Sequence, residues 1–181
     1  MVSAHRRLVA RTSTAVDTQA LAESLAAVAR AGDLLVLAGE MGAGKTAFAQ
    51  GFARGLGIPG PVTSPTFTIV AEHTGGRLAM HHLDVYRLEH LREVADLGLA
   101  EMLDEEAVML VEWGDAVLPA LPDQYLEVRI AFGEGDDDRI LELRPSGGSW
   151  PARERLLGEV IGPWRDQGDQ GDQGDEEGER C

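Results

Sequence analysis

The chain has 181 residues, 44% of them hydrophobic and 26% charged, enough apolar mass for one soluble domain with a real core. No run approaches the roughly 18 apolar residues of a membrane span, and no apolar stretch follows the early arginines, so neither a membrane segment nor a signal peptide is expected. The one cysteine is Cys181, which excludes an internal disulfide framework and a cysteine metal cluster and fits a reducing cytoplasm.

The formal charge is −15, of which residues 165–181 carry −5, leaving −10 for the rest. An acidic body lacks the basic face of a nucleic-acid binder, although a partner subunit can hold RNA in its place. Residues 165–181 repeat Asp-Gln-Gly and offer almost nothing apolar, so they are expected to form a disordered acidic tail after a domain spanning 1–164. The tail lacks the spacing of a calcium loop.

In chain order, residues 7–10 read as a short strand. Residues 17–30 carry Leu21, Leu25 and Val28 at a helical period, with Asp17 as the expected N-cap and Gly32 beyond the end. Residues 34–38 are a continuous apolar run, the mark of a strand buried on both faces. A glycine-rich turn over 39–46 leads into a helix over 46–56, which presents Phe48, Phe52 and Leu56 on one face and stops at Gly57. After a loop at 62–65, strands over 66–71 and 77–86 form a hairpin around the turn at 74–76. Residues 88–103 read as one or two short helices broken near Gly98. A buried strand follows at 107–111, then a second hairpin from 125–132 and 139–143, and a final helix over 151–161. The fold class is therefore α/β, with a central mixed sheet flanked by helices and carrying β-hairpins.

Gly39-Glu40-Met41-Gly42-Ala43-Gly44-Lys45-Thr46 matches G-x-x-x-x-G-K-[ST] at every fixed position, between a buried strand and an amphipathic helix. Glycines let backbone N–H groups turn inward around phosphate oxygens, and the helix N-terminus adds its dipole. Lys45 is expected to reach the β- and γ-phosphates, and the Thr46 hydroxyl to ligate magnesium. These eight residues and Ala47 form the expected nucleotide-binding set. Lys45 is also the only lysine among 16 basic residues, a position where arginine does not serve.

A P-loop needs a carboxylate on a neighbouring strand. Val108-Met109-Leu110-Val111-Glu112 is four apolar residues followed by an acid, which places Glu112 at the strand edge where α/β sheets bind ligands. It would hold magnesium or orient the attacking water; a surface glutamate at a strand end is the bland alternative. Asp84, at the end of another strand, would complete the magnesium shell or position water, or else pair with Arg87 as a turn acid. Ser64 and Thr66 lie in a loop that would sense the γ-phosphate, or form a solvated proline turn. His81 and His82 point to opposite faces of a strand and are not expected to share a metal. No Asn-Lys-x-Asp motif exists, so ATP is favoured over GTP. A small-molecule kinase is the alternative, with Arg87 and Arg92 as lid arginines.

GEMGAGKT, VTSPTFTIV, HHLDVYRL and LVEWGD, in this order, resemble the bacterial TsaE (YjeE) family of tRNA threonylcarbamoyladenosine biosynthesis ATPases, over about residues 8–145. The resemblance implies a P-loop NTPase-like fold and a Mg-dependent ATPase that works with TsaB-like and TsaD-like proteins and meets tRNA only through that complex. It implies Lys45 and Thr46 as the phosphate lysine and magnesium threonine, Glu112 as the second magnesium residue and Asp84 as the catalytic aspartate. Trp113 matches the aromatic after the glutamate, Ser64 and Thr66 the switch-like loop, and the stretch around Thr18 the region near which adenine is held.

Overall fold

The computed structural model describes residues 7–104 and 106–165. Strands β1 (Leu8–Thr12), β2 (Leu34–Ala38), β3 (Val70–His73), β4 (Ala79–Asp84), β5 (Ala107–Glu112), β6 (Tyr125–Phe132) and β7 (Arg139–Ser146) form one sheet in the order β1-β7-β6-β2-β5-β4-β3. The pairs β6–β2, β2–β5 and β5–β4 are parallel. The margins, β1–β7, β7–β6 and β4–β3, are antiparallel. This is the mixed sheet with two hairpins expected from the alternation of apolar runs and turns.

The helices are α1 (Ala15–Ala26), α2 (Lys45–Gly55), α3 (Leu91–Ala95), α4 (Leu99–Asp104) and α5 (Glu154–Val160). Strand residues alternate between two cores. Leu35, Leu37, Val108 and Leu110 face α1 and α2, meeting Leu21, Leu25, Phe48 and Phe52. Leu34, Val36, Met109 and Val111 face the other way, against Val94, Leu99, Val117 and Leu121. Gly51 lets α2 lie directly on α1: a Cβ there would stand 2.2 Å from the Gln19 carbonyl oxygen. No helix among the described residues is long and apolar enough to cross a membrane.

Several boundaries differ from the sequence reading for local reasons. The N-cap of α1 is Thr14, not Asp17. The Thr14 hydroxyl accepts from the Asp17 N–H at 3.0 Å and the Asp17 carboxylate accepts from the Ser13 N–H at 3.0 Å, a reciprocal cap. The helix stops at Ala26 rather than Arg30, and the Arg30 N–H is taken by the Asp33 carboxylate at 2.7 Å. The expected strand over 66–71 becomes a turn followed by β3, because the Ile69 N–H bonds back to the Pro65 carbonyl at 2.7 Å. Strand β4 starts at Ala79 rather than at residue 77, since the Arg77 N–H goes to the Leu56 carbonyl at 2.7 Å. The 3-10 helix Gly114–Ala120 was not foreseen, and the last helix begins as a 3-10 turn, Pro151–Arg153. Arg165 bridges Ala10 of β1. The rest of the expected acidic tail, 166–181, lies outside the described residues.

One buried ion pair ties the C-terminal segment to the start of β2. Arg153 Nη1 donates to both Asp33 carboxylate oxygens, at 2.8 and 3.0 Å, and its Nη2 to the Val28 carbonyl at 2.6 Å. Removing one partner of such a pair strands the other charge in the core. Arg153→Ala is therefore expected to cost about 3 kcal/mol in denaturant unfolding. A loss within experimental error would show that water or rearrangement reaches Asp33.

Candidate nucleotide site

The first side of the site is the loop between β2 and α2. Gly44 caps α2 with a φ of 111°, a left-handed conformation that turns the following N–H groups inward. Lys45 is 5% exposed. Its ammonium donates to the Gly39 carbonyl at 2.7 Å and the Glu40 carbonyl at 2.8 Å. Two of its three N–H groups are thus committed within the loop, which fixes the cation and leaves one N–H for a phosphate oxygen. The Trp113 ring covers it, 3.7 Å from Nζ to the ring centre.

The second side is carboxylate. Residues Asp84 and Glu112 are direct register partners at the C-terminal ends of β4 and β5. Both are buried, at 4% and 2% exposure. The Thr46 hydroxyl lies 3.4 and 3.3 Å from the two Glu112 oxygens. Asp84 does not pair with Arg87. Its Oδ2 accepts from the Ser64 hydroxyl at 2.5 Å and the Thr66 hydroxyl at 3.1 Å, and its Oδ1 from the Tyr86 N–H at 3.1 Å. Arg87 lies instead over Phe67, which is 85% exposed at the tip of the loop.

These residues share one cavity of about 460 Å³. Met41, Gly42, Gly44, Lys45, Thr46 and Ala47 line it from the loop and helix. Ser64, Thr66, Asp84, Glu112 and Trp113 line it from the sheet edge. Three members of the expected set lie elsewhere: Gly39 and Glu40 border a neighbouring cavity, and the Ala43 side chain is fully buried in the core. Thr18, expected near the base, is also buried, its hydroxyl 2.7 Å from that of Thr12. The hydroxyl of Thr46 and the carboxylates of Glu112 and Asp84 form an all-oxygen donor set, which suits magnesium. Among the described residues no group of three or more His, Cys, Asp or Glu is arranged as a metal cluster, so a metal here would also need phosphate or water oxygens.

Two backbone outliers frame the cavity. Ile69 and Trp113 both have positive φ, 66° and 62°, which L side chains adopt at a cost. Ile69 closes the loop that carries Ser64 and Thr66, and its carbonyl accepts the Asp84 N–H at 2.9 Å. Trp113 turns the chain sharply after Glu112 and brings its ring back over Lys45.

Sequence reasoning missed Arg139, whose Nε donates to the Ala43 carbonyl at 2.9 Å and whose Nη2 reaches the Gly42 carbonyl at 3.4 Å. No local motif marks it, because it arrives from β7, 96 residues beyond Ala43. It also missed His82, whose Nε2 lies 2.8 Å from Glu112 Oε1. The alternation of His82 and Asp84 on one strand face was the available signal.

Burial lowers the Lys45 ammonium below the usual lysine range, and the negative charges of Glu112, Asp115 and Asp84 partly offset this. An unfolded lysine holds its proton to higher pH, so folding stability gains as pH rises from the lowered value toward 10.5. Phosphate binding has the opposite sign, since it needs the charged form. Nucleotide affinity is expected to fall by up to about tenfold per pH unit above the lowered value, with proton uptake on binding. Calorimetry in buffers of different ionisation heat measures this; an alkaline affinity without proton uptake would remove Lys45 from the phosphate contact.

The chain is similar to known proteins in sequence and in fold. The model of the family described as Threonylcarbamoyl adenosine biosynthesis protein TsaE matches residues 12–140, which include every residue discussed at the site. A Bacillus subtilis protein called tRNA threonylcarbamoyladenosine biosynthesis protein TsaE is 44% identical over 142 residues, 78% of this chain and 88% of that one. A Mycobacterium leprae protein of the same name is 40% identical over 132 residues, 68% of this chain and 82% of its own. The crystal structure of Bacillus subtilis YdiB superposes with a TM-score of 0.72 at 38% identity, covering 87% of this chain and 95% of that one. The P-loop, the paired strand-end acids and the Ser64–Thr66 loop thus sit on a P-loop NTPase-like fold shared along nearly the whole domain, and the chain belongs to the TsaE family.

Proposed function

We propose that this chain binds and hydrolyses ATP with magnesium, as the ATP-dependent subunit for threonylcarbamoyl modification of the tRNA adenosine next to the anticodon. TsaB-like and TsaD-like proteins would be its partners, and tRNA would be met through them. The observation that carries the chemistry is the convergence of Lys45, Thr46, Asp84 and Glu112 on one cavity at the C-terminal ends of β2, β4 and β5. The names of the relatives support the pathway.

In this reading the remaining N–H of Lys45 would reach the β- and γ-phosphates. Thr46 and Glu112 would hold magnesium, which when bound neutralises charge developing on those phosphates. Asp84, fixed by Ser64 and Thr66, would orient the attacking water. The Trp113 face keeps bulk water off the ammonium. Arg139 stiffens the loop by gripping its carbonyls. The nucleoside would leave on that side, where a second cavity of about 380 Å³ lies between Ser13 and the β6–β7 turn.

The test is reconstitution with tRNA, threonine, bicarbonate, ATP, a threonylcarbamoyl-AMP synthase and the two partners. Modified tRNA is expected to accumulate over many turnovers only when this chain is present. Equal modification without it would overturn the pathway assignment. Transfer of the γ-phosphate to a soluble small-molecule acceptor would favour a kinase instead.

A further inference from the structure

His82 is fully buried, yet an imidazole is a poor core residue unless its nitrogens are satisfied. Only one of them is. Nε2 lies 2.8 Å from Glu112 Oε1, while Nδ1 is enclosed with no hydrogen-bond partner. The ring of His73 lies 5.9 Å away between centres, and its own Nε2 is also buried without a partner. The carboxylate beside Nε2 favours the proton there. With the proton on Nε2, a donor meets the carboxylate and the orphan is a lone pair. With the proton on Nδ1, a lone pair would face the carboxylate and a buried N–H would be orphaned, which is the costlier arrangement.

The strand register explains the aim. Asp84 stands opposite Glu112, and His82 stands opposite Leu110, one step further from the sheet edge on the same face. His82 therefore reaches Glu112 from below, while the Thr46 hydroxyl meets it from the cavity side at 3.3 and 3.4 Å. Glu112 has three rotatable side-chain bonds. Asp84 faces Ser64 and Thr66, and the Lys45 ammonium is bonded to backbone carbonyls. Among the described residues, the contact of Glu112 to His82 is half an ångström shorter than its contacts to Thr46.

We propose that His82 is a positioning residue for Glu112: its Nε2–H holds one carboxylate oxygen so that the group faces Thr46 and the phosphate cradle. The inference rests on the magnesium-nucleotide reading of the site. An oriented carboxylate binds a metal without first losing rotational freedom, and hydrogen-bonding residues behind a ligand carry about 10–100-fold in metal affinity. His82 does not line the cavity, so its removal should leave magnesium-free nucleotide binding intact.

The experiment measures ATP affinity by calorimetry, in magnesium and in EDTA, for the wild type, His82→Leu, His82→Gln and His82→Asn, beside their melting temperatures. A glutamine amide nitrogen reaches to about the place of Nε2, whereas that of asparagine is about one bond shorter. The expected result is a loss of at least tenfold in the magnesium-dependent part of the affinity in His82→Leu and His82→Asn, recovery of most of it in His82→Gln, and equal affinities in EDTA. If His82→Leu does not fold, the Gln–Asn difference carries the same test. Equal magnesium dependence in Gln and Asn, or full dependence in Leu, overturns the positioning role. A wild type whose ATP affinity ignores magnesium overturns instead the reading on which the role rests.

Discussion

Replacing Lys45 with alanine is expected to abolish ATP turnover, with a fall of more than about 10³-fold in phosphate release measured with the partner proteins present. Its ammonium is held between two loop carbonyls with one N–H to spare, a geometry that needs a compact point charge. Lys45→Arg should fail nearly as badly, because the planar guanidinium cannot place its donors among the same carbonyls. Folding should suffer far less. The mutant loses two hydrogen bonds to loop carbonyls, but the desolvation cost that burial places on the ammonium goes with them. The melting temperature of Lys45→Ala should therefore stay within a few degrees of the wild type. Unchanged phosphate release in the mutant would overturn the P-loop assignment.

Most of the architecture was legible because period and composition report burial directly. The apolar runs at β2 and β5 are continuous since both faces of those strands are covered, and α2 carries its phenylalanines at helical spacing. The turn at Thr66–Ile69 was illegible for a different reason. Its residues favour strands, and what bends them is tertiary: Asp84 captures the Ser64 and Thr66 hydroxyls, and Ile69 is held at positive φ. The Thr14 cap was missed because Asp17, three residues on, completes the same reciprocal pattern and looks equally suitable.

The site divides the same way. The P-loop is contiguous, so spacing alone reveals it; Glu112 follows a continuous apolar run, and Asp84 closes the strand before Tyr86. What spacing does not reveal is which groups meet across strands. Arg139 reaches the loop from a hairpin at the far end of the sequence, and His82 reaches Glu112 only through the β4–β5 register. The lysine was expected to point at phosphate; its anchoring to Gly39 and Glu40 depends on backbone carbonyls, which carry no side-chain signal.

Asp84→Asn is the second substitution with a large expected effect, and it separates chemistry from binding. Asp84 is buried opposite Glu112 and receives two hydroxyls and a backbone N–H. The amide has nearly the same shape. If its NH2 turns toward Ser64 and Thr66, those hydroxyls can rotate to accept, so the loop should keep its place. The charge is what disappears. A carboxylate that orients water or balances magnesium acts mainly in the transition state, so kcat should fall by about 10²–10³-fold, or roughly 3–4 kcal/mol, while ATP affinity changes only a few-fold. ATP titration by calorimetry, beside phosphate release with both partners present, reads the two effects separately. Near-normal release would sink the catalytic role and leave Asp84 as the anchor of the Ser64–Thr66 loop. Equal losses in affinity and release would mean that its carboxylate holds bound nucleotide and transition state alike, which places it in binding rather than in the chemical step.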